Sequence, residues 1–196
     1  MTDLTLTFDA DRHVYAIGGN PVPSVTQIIR AVIPRQWNAD PWCMQRGTMV
    51  HKAAALLLRG QLDWTTVDER ILPRVRAVEK FWLQNQVELT GPTSSAYAMW
   101  VEELGCNPVF GYAGTPDLRI GSVIVDWKSC DEPEAEIQGG GYACMFRPGQ
   151  IRTFMSVELK EDETYRVTKY DAKRCSGLFM NVLTVYQWMV KHGRVK

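Results

Sequence analysis

The stretch GTPDLRIGSVIVDWKS, residues 114–129, holds two aspartates and a lysine; eight residues separate Asp117 from Asp126, and Lys128 follows two positions later. Read as a strand, VIVDWKS sends successive side chains to opposite faces. Val123, Val125 and Trp127 then share a core-facing side, while Ile124, Asp126 and Lys128 share the other. Asp126 and Lys128 stand about 6 to 7 Å apart on that face. The preceding segment, DLRI, ends at the tight turn Gly121-Ser122, which places Asp117 near Asp126 or Lys128 across the ladder. Two carboxylates brought together at a sheet edge repel, and one is driven toward protonation unless a cation sits between them. Oxygen ligands of this kind favour magnesium or manganese. The plain alternative for D-x-K on a strand is a surface ion pair with no metal.

Hydrophobic period and turn chemistry set the elements that must hold these residues. The opening LTFDADRHVYAIGG alternates polar and apolar residues around a turn-prone DAD and predicts a β-hairpin. In PVPSVTQIIRAVIP, Ser24 and Gln27 have the spacing of a capping box, so a short helix starts at Ser24 and stops before Pro34. A second helix runs from about Pro41 to Arg59, with proline in its first turn, Gly60 as its stop and His51 along it. Ile71, Val75, Val78 and Trp82 repeat at helical spacing in a third, about 67–86, whose first turn Pro73 kinks or delays. From Tyr97 the period changes to two, and AYAMWVEEL, VFGYAG, DLRI and VIVDWKS predict an antiparallel meander. A helix over about 134–147 follows, weakened by about 1 kcal/mol for each of Gly139, Gly140 and Gly141 relative to alanine. Either the backbone comes close to something at these glycines or the helix begins later. IRTFMSVEL and TYRVTKYD flank the polar KEDE as another hairpin, and a last helix covers about 172–192. With no repeat or linker, 1–196 reads as a single domain, hairpin and helices over 1–95 and a sheet-centred core over 96–196. The fold class is α/β (α+β), a central mixed sheet with helices packed on its faces.

Of the 196 residues 45% are apolar and 10% aromatic, enough to build a real core. No apolar run nears the roughly 18 to 20 residues of a membrane span. The start, MTDLTLTFDADRH, has no basic region followed by a hydrophobic stretch, so a cytoplasmic protein without a membrane partner is expected. Cys43, Cys106, Cys130, Cys144 and Cys175 contain no C-x-x-C pair, which argues against a disulfide framework or a zinc ribbon and predicts reduced core thiols. Formal net charge is zero, but its placement is uneven: residues 102–136 carry −6, residues 24–60 carry +4 and residues 169–196 carry +5. An acidic centre between basic arms suits a cation site handling a polyanion, although solvated helix faces give similar counts. Trp37, Trp42 and Trp64 lie in or near loops at the basic end, available to stack on unpaired bases, with core packing the expectation for most.

In this company the aspartates and lysine resemble the PD-(D/E)XK nuclease superfamily, and within it the RecB-like branch of phage exonucleases and the mitochondrial genome maintenance exonuclease. The resemblance extends from about residue 13 to 190, in the family's order. VPSVTQII is similar to the branch's opening helix, RGTMVH ends in a matching histidine, His51, and Glu102 in WVEEL falls fifteen residues before Asp117. GYAGTPD supplies Asp117, IVDWKS supplies Asp126 and Lys128, and QGGGY supplies Gln138 and Tyr142.

The resemblance implies a restriction-endonuclease-like core in which Asp117 and Asp126 bind Mg2+ or Mn2+, assisted by the carbonyl of Trp127 and by His51 or Glu102. Lys128 would orient and activate the attacking water, and Gln138 and Tyr142, one turn apart, would contact the DNA backbone or fix the lysine. Residue by residue, plainer readings stand beside these. His51, with Ala55 and Leu58 at helical spacing, reads as a hydrogen-bonded core histidine; Glu103 competes with Glu102; and the Gln-Tyr pair reads as a packed helix face. RecB-like nucleases of the CRISPR adaptation type hold an iron–sulfur cluster on one upstream and three downstream cysteines. Here only Cys144 and Cys175 lie near the C-terminus, so no iron–sulfur cluster is expected. The expected function is metal-dependent hydrolysis of DNA, single-stranded or with free ends, by an exonuclease of a bacterial or phage-infected cell, in end processing, recombination or repair. A structure- or sequence-selective endonuclease of the same fold and an inert nucleic-acid-binding module are the alternatives.

Overall fold

A computed structural model describes residues 5–34, 41–90, 99–129 and 132–195. Trp37, Tyr97 and Cys130 lie outside the described residues.

The opening hairpin forms as expected from β1 (Leu6–Asp9) and β2 (Val14–Ile17). A third short strand, β3 (Asn20–Val22), joins β2, and its Pro21 is tolerated because β3 is an edge strand. Helix α1 (Val25–Val32) begins at the capping box: Ser24 Oγ accepts from the Gln27 N–H at 3.1 Å, and Gln27 Oε1 accepts from the Ser24 N–H at 2.7 Å. Helix α2 (Pro41–Leu58) stops at Gly60, whose φ of 68° lets its N–H reach the Leu57 carbonyl while the Gln61 N–H reaches that of Leu56. Helix α3 (Leu72–Thr90) starts later than the apolar repeat implies, because Asp68 closes a local turn onto Ile71 and Leu72 ahead of Pro73. A short 3-10 turn, Trp64–Thr66, fills part of the difference.

The expected meander is corrected by the pairing. Strands β4 (Met99–Val101), β7 (Leu118–Ile120), β8 (Val123–Lys128), β9 (Thr153–Leu159) and β10 (Tyr165–Asp171) form one sheet in the order β10-β9-β8-β7-β4. Between β4 and β7 the chain makes a separate two-stranded sheet, β5 (Gly105–Asn107) with β6 (Tyr112–Gly114). It departs at Glu102, whose φ of 51° ends β4, and it is anchored by the Ala113 N–H on the Pro23 carbonyl, 3.1 Å away. Strands β8 and β9 are parallel, joined over the sheet by α4 (Ala135–Ala143), while the other pairs are antiparallel. Helix α5 (Ala172–Lys191) closes the chain, capped by Asp171. The architecture is thus a central mixed sheet flanked by helices.

The alternation read from VIVDWKS divides two cores. Val125 and Trp127 pack with α2 and α3, whereas Ile124 packs on the opposite face with α1, α4 and α5. Helix α4 is shorter than expected, ending at Ala143, and runs through all three glycines. A Cβ on Gly139 would lie 2.3 Å from the Phe154 ring, one on Gly140 2.0 Å from the Cys175 carbonyl oxygen, and one on Gly141 2.5 Å from Val25. The glycines therefore let α4 lie directly on β9, α5 and α1, which brings Gln138 and Tyr142 down onto the sheet. Gly140→Ala is expected to destabilise the protein by about 3 kcal/mol or more, because the obstacle is backbone rather than a side chain that can rotate away. Urea unfolding would show it as a lower midpoint.

Candidate active site

The register of β7 on β8 runs Ile120↔Val123, Arg119↔Ile124, Leu118↔Val125, closed by the Gly121-Ser122 turn. Asp117 immediately precedes β7, and Asp126 follows Val125, the partner of Leu118, so the two aspartates are close enough for the charge of one to act on the other. Strand β8 outruns β7 here, and its last three residues pair with Ser156, Val157 and Glu158 of β9. The Trp127 N–H turns instead to Asp117 and donates to Oδ2 at 2.7 Å, while the Trp127 ring stays in the core at 1% exposure.

His51, from α2, bonds the other oxygen of Asp117: Nδ1 lies 2.7 Å from Oδ1. Burial pulls the His51 pKa down, but the charge and hydrogen bond of Asp117, with Asp126 behind, outweigh it and raise it to about 9. The Asp117 carboxylate thus favours a proton on the His51 ring. Its core-histidine reading gives way to this pairing; about a third of the side chain remains exposed, at the mouth of a cleft.

Asp126 is 1% exposed. Burial is the main cause of its raised pKa, to about 6, with Lys128 opposing and the like charge of Asp117 adding. The Lys128 ammonium sits 2.7 Å from Asp126 Oδ2, 3.2 Å from Glu132 Oε2, and donates to Gln138 Oε1 at 2.6 Å. Burial opposes its charge, but Asp126 and Glu132 more than compensate and raise its pKa. The contact with Asp126 is close yet poorly aligned for a hydrogen bond, so Oδ2 is buried beside a positive charge without a directed donor. Gln138 passes the chain of contacts on, donating from Nε2 to the Tyr142 hydroxyl at 2.8 Å. Both are under a tenth exposed. The Tyr142 ring fits because residue 114 is glycine: a Cβ there would meet Cε1 at 3.0 Å.

Glu102 and Glu103 are separated by the break at the end of β4. Glu103 binds Arg119 at 2.8 Å, under the ring of Trp100. Glu102 turns toward the site: its N–H donates to the Asp117 carbonyl, and its carboxylate lies 3.5 Å from Arg59. Burial raises the Glu102 pKa, Arg59 opposes this, and the charges of Asp117 and His51 reach it as well. The structure thus gathers His51, Asp117, Asp126, Lys128, Gln138 and Tyr142 into one connected cluster, with Glu102 alongside.

The cleft above the cluster has a volume of about 720 Å³, and His51, Lys128, Gln138, Arg30, Arg46 and Glu132 are among its walls. Arg30, Arg46 and Glu132 were not singled out by spacing. Arg46 stands five residues before His51 on the same helix, and Glu132 four after Lys128, a relation that only the backbone turn after β8 makes meaningful. Trp42 and Trp64 are covered by Arg70 and Arg76, at 4.0 and 3.8 Å, and pack partly on the core. Cys43, Cys106 and Cys144 are half-buried and Cys175 is buried. Among the described residues no helix is long and apolar enough to cross a membrane.

Among the described residues no three His, Cys, Asp or Glu side chains already converge as a metal cage. Asp117 and Asp126, close enough for one charge to act on the other and with a buried oxygen of Asp126 lacking a directed donor, nevertheless fit Mg2+, which keeps several waters and takes one or two carboxylates.

No family model matches the chain, and no curated protein matches it. Two crystal structures are among those the chain is similar to. One, described as a candidate exonuclease from Eubacterium rectale, is 14% identical with a TM-score of 0.47, covering 82% of this chain and 72% of that one. The other, an alkaline exonuclease from Laribacter hongkongensis, is 10% identical with a TM-score of 0.32, covering 87% and 92%.

Proposed function

We propose that this chain is a deoxyribonuclease dependent on Mg2+ or Mn2+, acting on DNA ends. The observation that carries the reading is a buried lysine lining a cleft edged by arginines, 2.7 Å from the buried Asp126, with the like charge of Asp117 close behind. A surface ion pair does not account for it, since Asp126 and Lys128 are both under a tenth exposed and one carboxylate oxygen lacks a directed donor. Asp117 and Asp126 would hold the ion, with the Trp127 carbonyl as a further oxygen. When bound, the ion would polarise a phosphoryl oxygen and lower the pKa of a coordinated water.

The chain's own groups supply the rest. Lys128, fixed by Asp126, Glu132 and Gln138, presents a permanent positive charge to the attacking water and to the oxyanion that develops on phosphorus. His51 orients Asp117, and Glu102 adds a carboxylate beside that pair. Gln138 and Tyr142 act on the lysine, because Gln138 Oε1 accepts from Lys128 and Gln138 Nε2 donates to the Tyr142 hydroxyl. Arg30 and Arg46 face the cleft as partners for backbone phosphates.

Incubating end-labelled single- and double-stranded linear DNA and a closed circle with Mg2+, Mn2+ or EDTA tests the reading. Metal-dependent loss of linear DNA alone is expected. Cutting of the circle would replace the exonuclease by an endonuclease, and intact substrates under every condition would end the proposal. Tyr142→Phe should leave the buried Gln138 N–H without its acceptor, costing about 1 to 3 kcal/mol of stability. Through the lysine, it should also slow cleavage by about tenfold, measured as single-turnover rate.

A further inference from the structure

We infer that Arg46, with the bare backbone of Gly47 beside it and Arg74 behind, forms a seat for a backbone phosphate of the DNA strand, which Glu161 holds until DNA displaces it. The seat lies about 7 Å along α2 from His51, and the inference rests on the nuclease reading above.

Three observations meet here. The Arg46 side chain is 17% exposed, its Nε is buried without an acceptor, and the carboxylate paired with it, Glu161, stands 3.9 Å away. That same oxygen, Glu161 Oε1, is already taken at 2.9 Å by Arg74, a side chain 6% exposed whose Nε likewise lacks an acceptor. Two largely desolvated guanidiniums thus share one carboxylate, and it comes from a side chain 74% exposed in the turn between β9 and β10. Removing charge from water without completing its hydrogen bonds is costly. A phosphodiester, with one charge and two free oxygens, supplies the missing acceptors and suits guanidinium geometry.

Gly47 is the third observation. It sits inside an 18-residue helix, yet a Cβ built on it would meet no atom of the described residues within 4 Å. Glycine at such a position costs about 1 kcal/mol relative to alanine. Gly139, Gly140 and Gly141 are required by neighbouring atoms; among the described residues none requires Gly47. It faces the cleft between Arg46 and His51, where a bare helix backbone lets an extended ligand lie close.

Binding of a fluorescein-labelled oligothymidylate in EDTA, followed by anisotropy over a range of salt, tests the seat without any cutting. Arg46→Gln should weaken binding about tenfold and flatten the dependence of log Kd on log salt by about one. Glu161→Gln, which keeps an amide oxygen for Arg74 but removes the competing charge, should tighten binding. Gly47→Ala should raise the melting temperature and weaken binding together. Stabilisation by Gly47→Ala with unchanged affinity, an unchanged salt slope for Arg46→Gln, or weaker binding by Glu161→Gln would each overturn the seat. If the native protein cuts DNA with Mn2+ while these variants bind normally, only the seat falls. If it binds DNA with the expected variant pattern yet never cuts, only the nuclease reading falls.

Discussion

Lys128→Ala is expected to lower the rate of DNA cleavage by about a hundred- to a thousandfold, the usual cost of removing one preorganised donor from a developing oxyanion. The ammonium is held from three sides, by Asp126, Glu132 and Gln138, and a water in its place would bring no charge to offset the two carboxylates. The same change exposes the electrostatic design of the site. Without the lysine, Asp126 keeps its burial and its repulsion from Asp117 but loses the charge that opposes both. Its pKa must rise further above the 3.8 of the unfolded chain than the value of about 6 it has in the native protein. A carboxyl whose folded pKa is raised contributes stability that is fully present below the unfolded value and lost as pH rises through the folded one. From about pH 4 to about 6 both proteins lose stability in parallel, and above about 6 only the variant goes on losing it, so its stability relative to the native protein should fall as pH increases from about 6 upward. Urea unfolding at pH 5 and pH 8 in EDTA, paired with single-turnover cleavage in Mn2+, measures both effects. Undiminished cleavage would remove the lysine from the mechanism, and a stability gap independent of pH would remove it from the electrostatics.

The residues behind that prediction were legible in the sequence for a local reason. Alternation along VIVDWKS is a property of any strand, and a two-residue turn at Gly121-Ser122 leaves little freedom in register, so Asp117, Asp126 and Lys128 could be brought together on paper. The Ser24-Gln27 box and the Gly60 stop are equally local, and both formed. What the sequence did not carry was choice of partner. Period-two runs at β5 and β6 look like any others, and their exile from the central sheet depends on the left-handed Glu102 and on the Pro23 carbonyl, far away in the chain. The glycines of α4 read as helix weakness, because the atoms that require them belong to Phe154, Cys175 and Val25. Glu132 and Arg46 were hidden for a related reason: a charge gains meaning only from the neighbours that leave it paired or short of partners.

Asp117→Asn should abolish cleavage to at least the same degree, since an ion held by two carboxylates loses one of them along with several kcal/mol of transition-state stabilisation. Its second effect falls on His51 and reverses a sign. In the native protein the His51 pKa is raised from 6.5 to about 9, so the imidazolium contributes stability that is fully present below pH 6.5 and lost as pH rises through about 9. Asparagine keeps a hydrogen-bonding oxygen but removes the charge. Burial, the largest influence on this ring, then acts with Lys128 against Asp126 alone, and the pKa should drop below 6.5. A histidine with a depressed folded pKa destabilises as pH falls, because the unfolded chain then binds the extra proton. Between pH 6 and 9 the metal-free native protein should lose stability from this group as pH rises, and the variant should not. The chain has three histidines, so a ring titration by NMR with His51→Gln for assignment reads the shift directly. A variant whose His51 still titrates near 9 would show that Asp117 is not the source of its charge, and the link from β7 to α2 that orients the first aspartate would have to be given up.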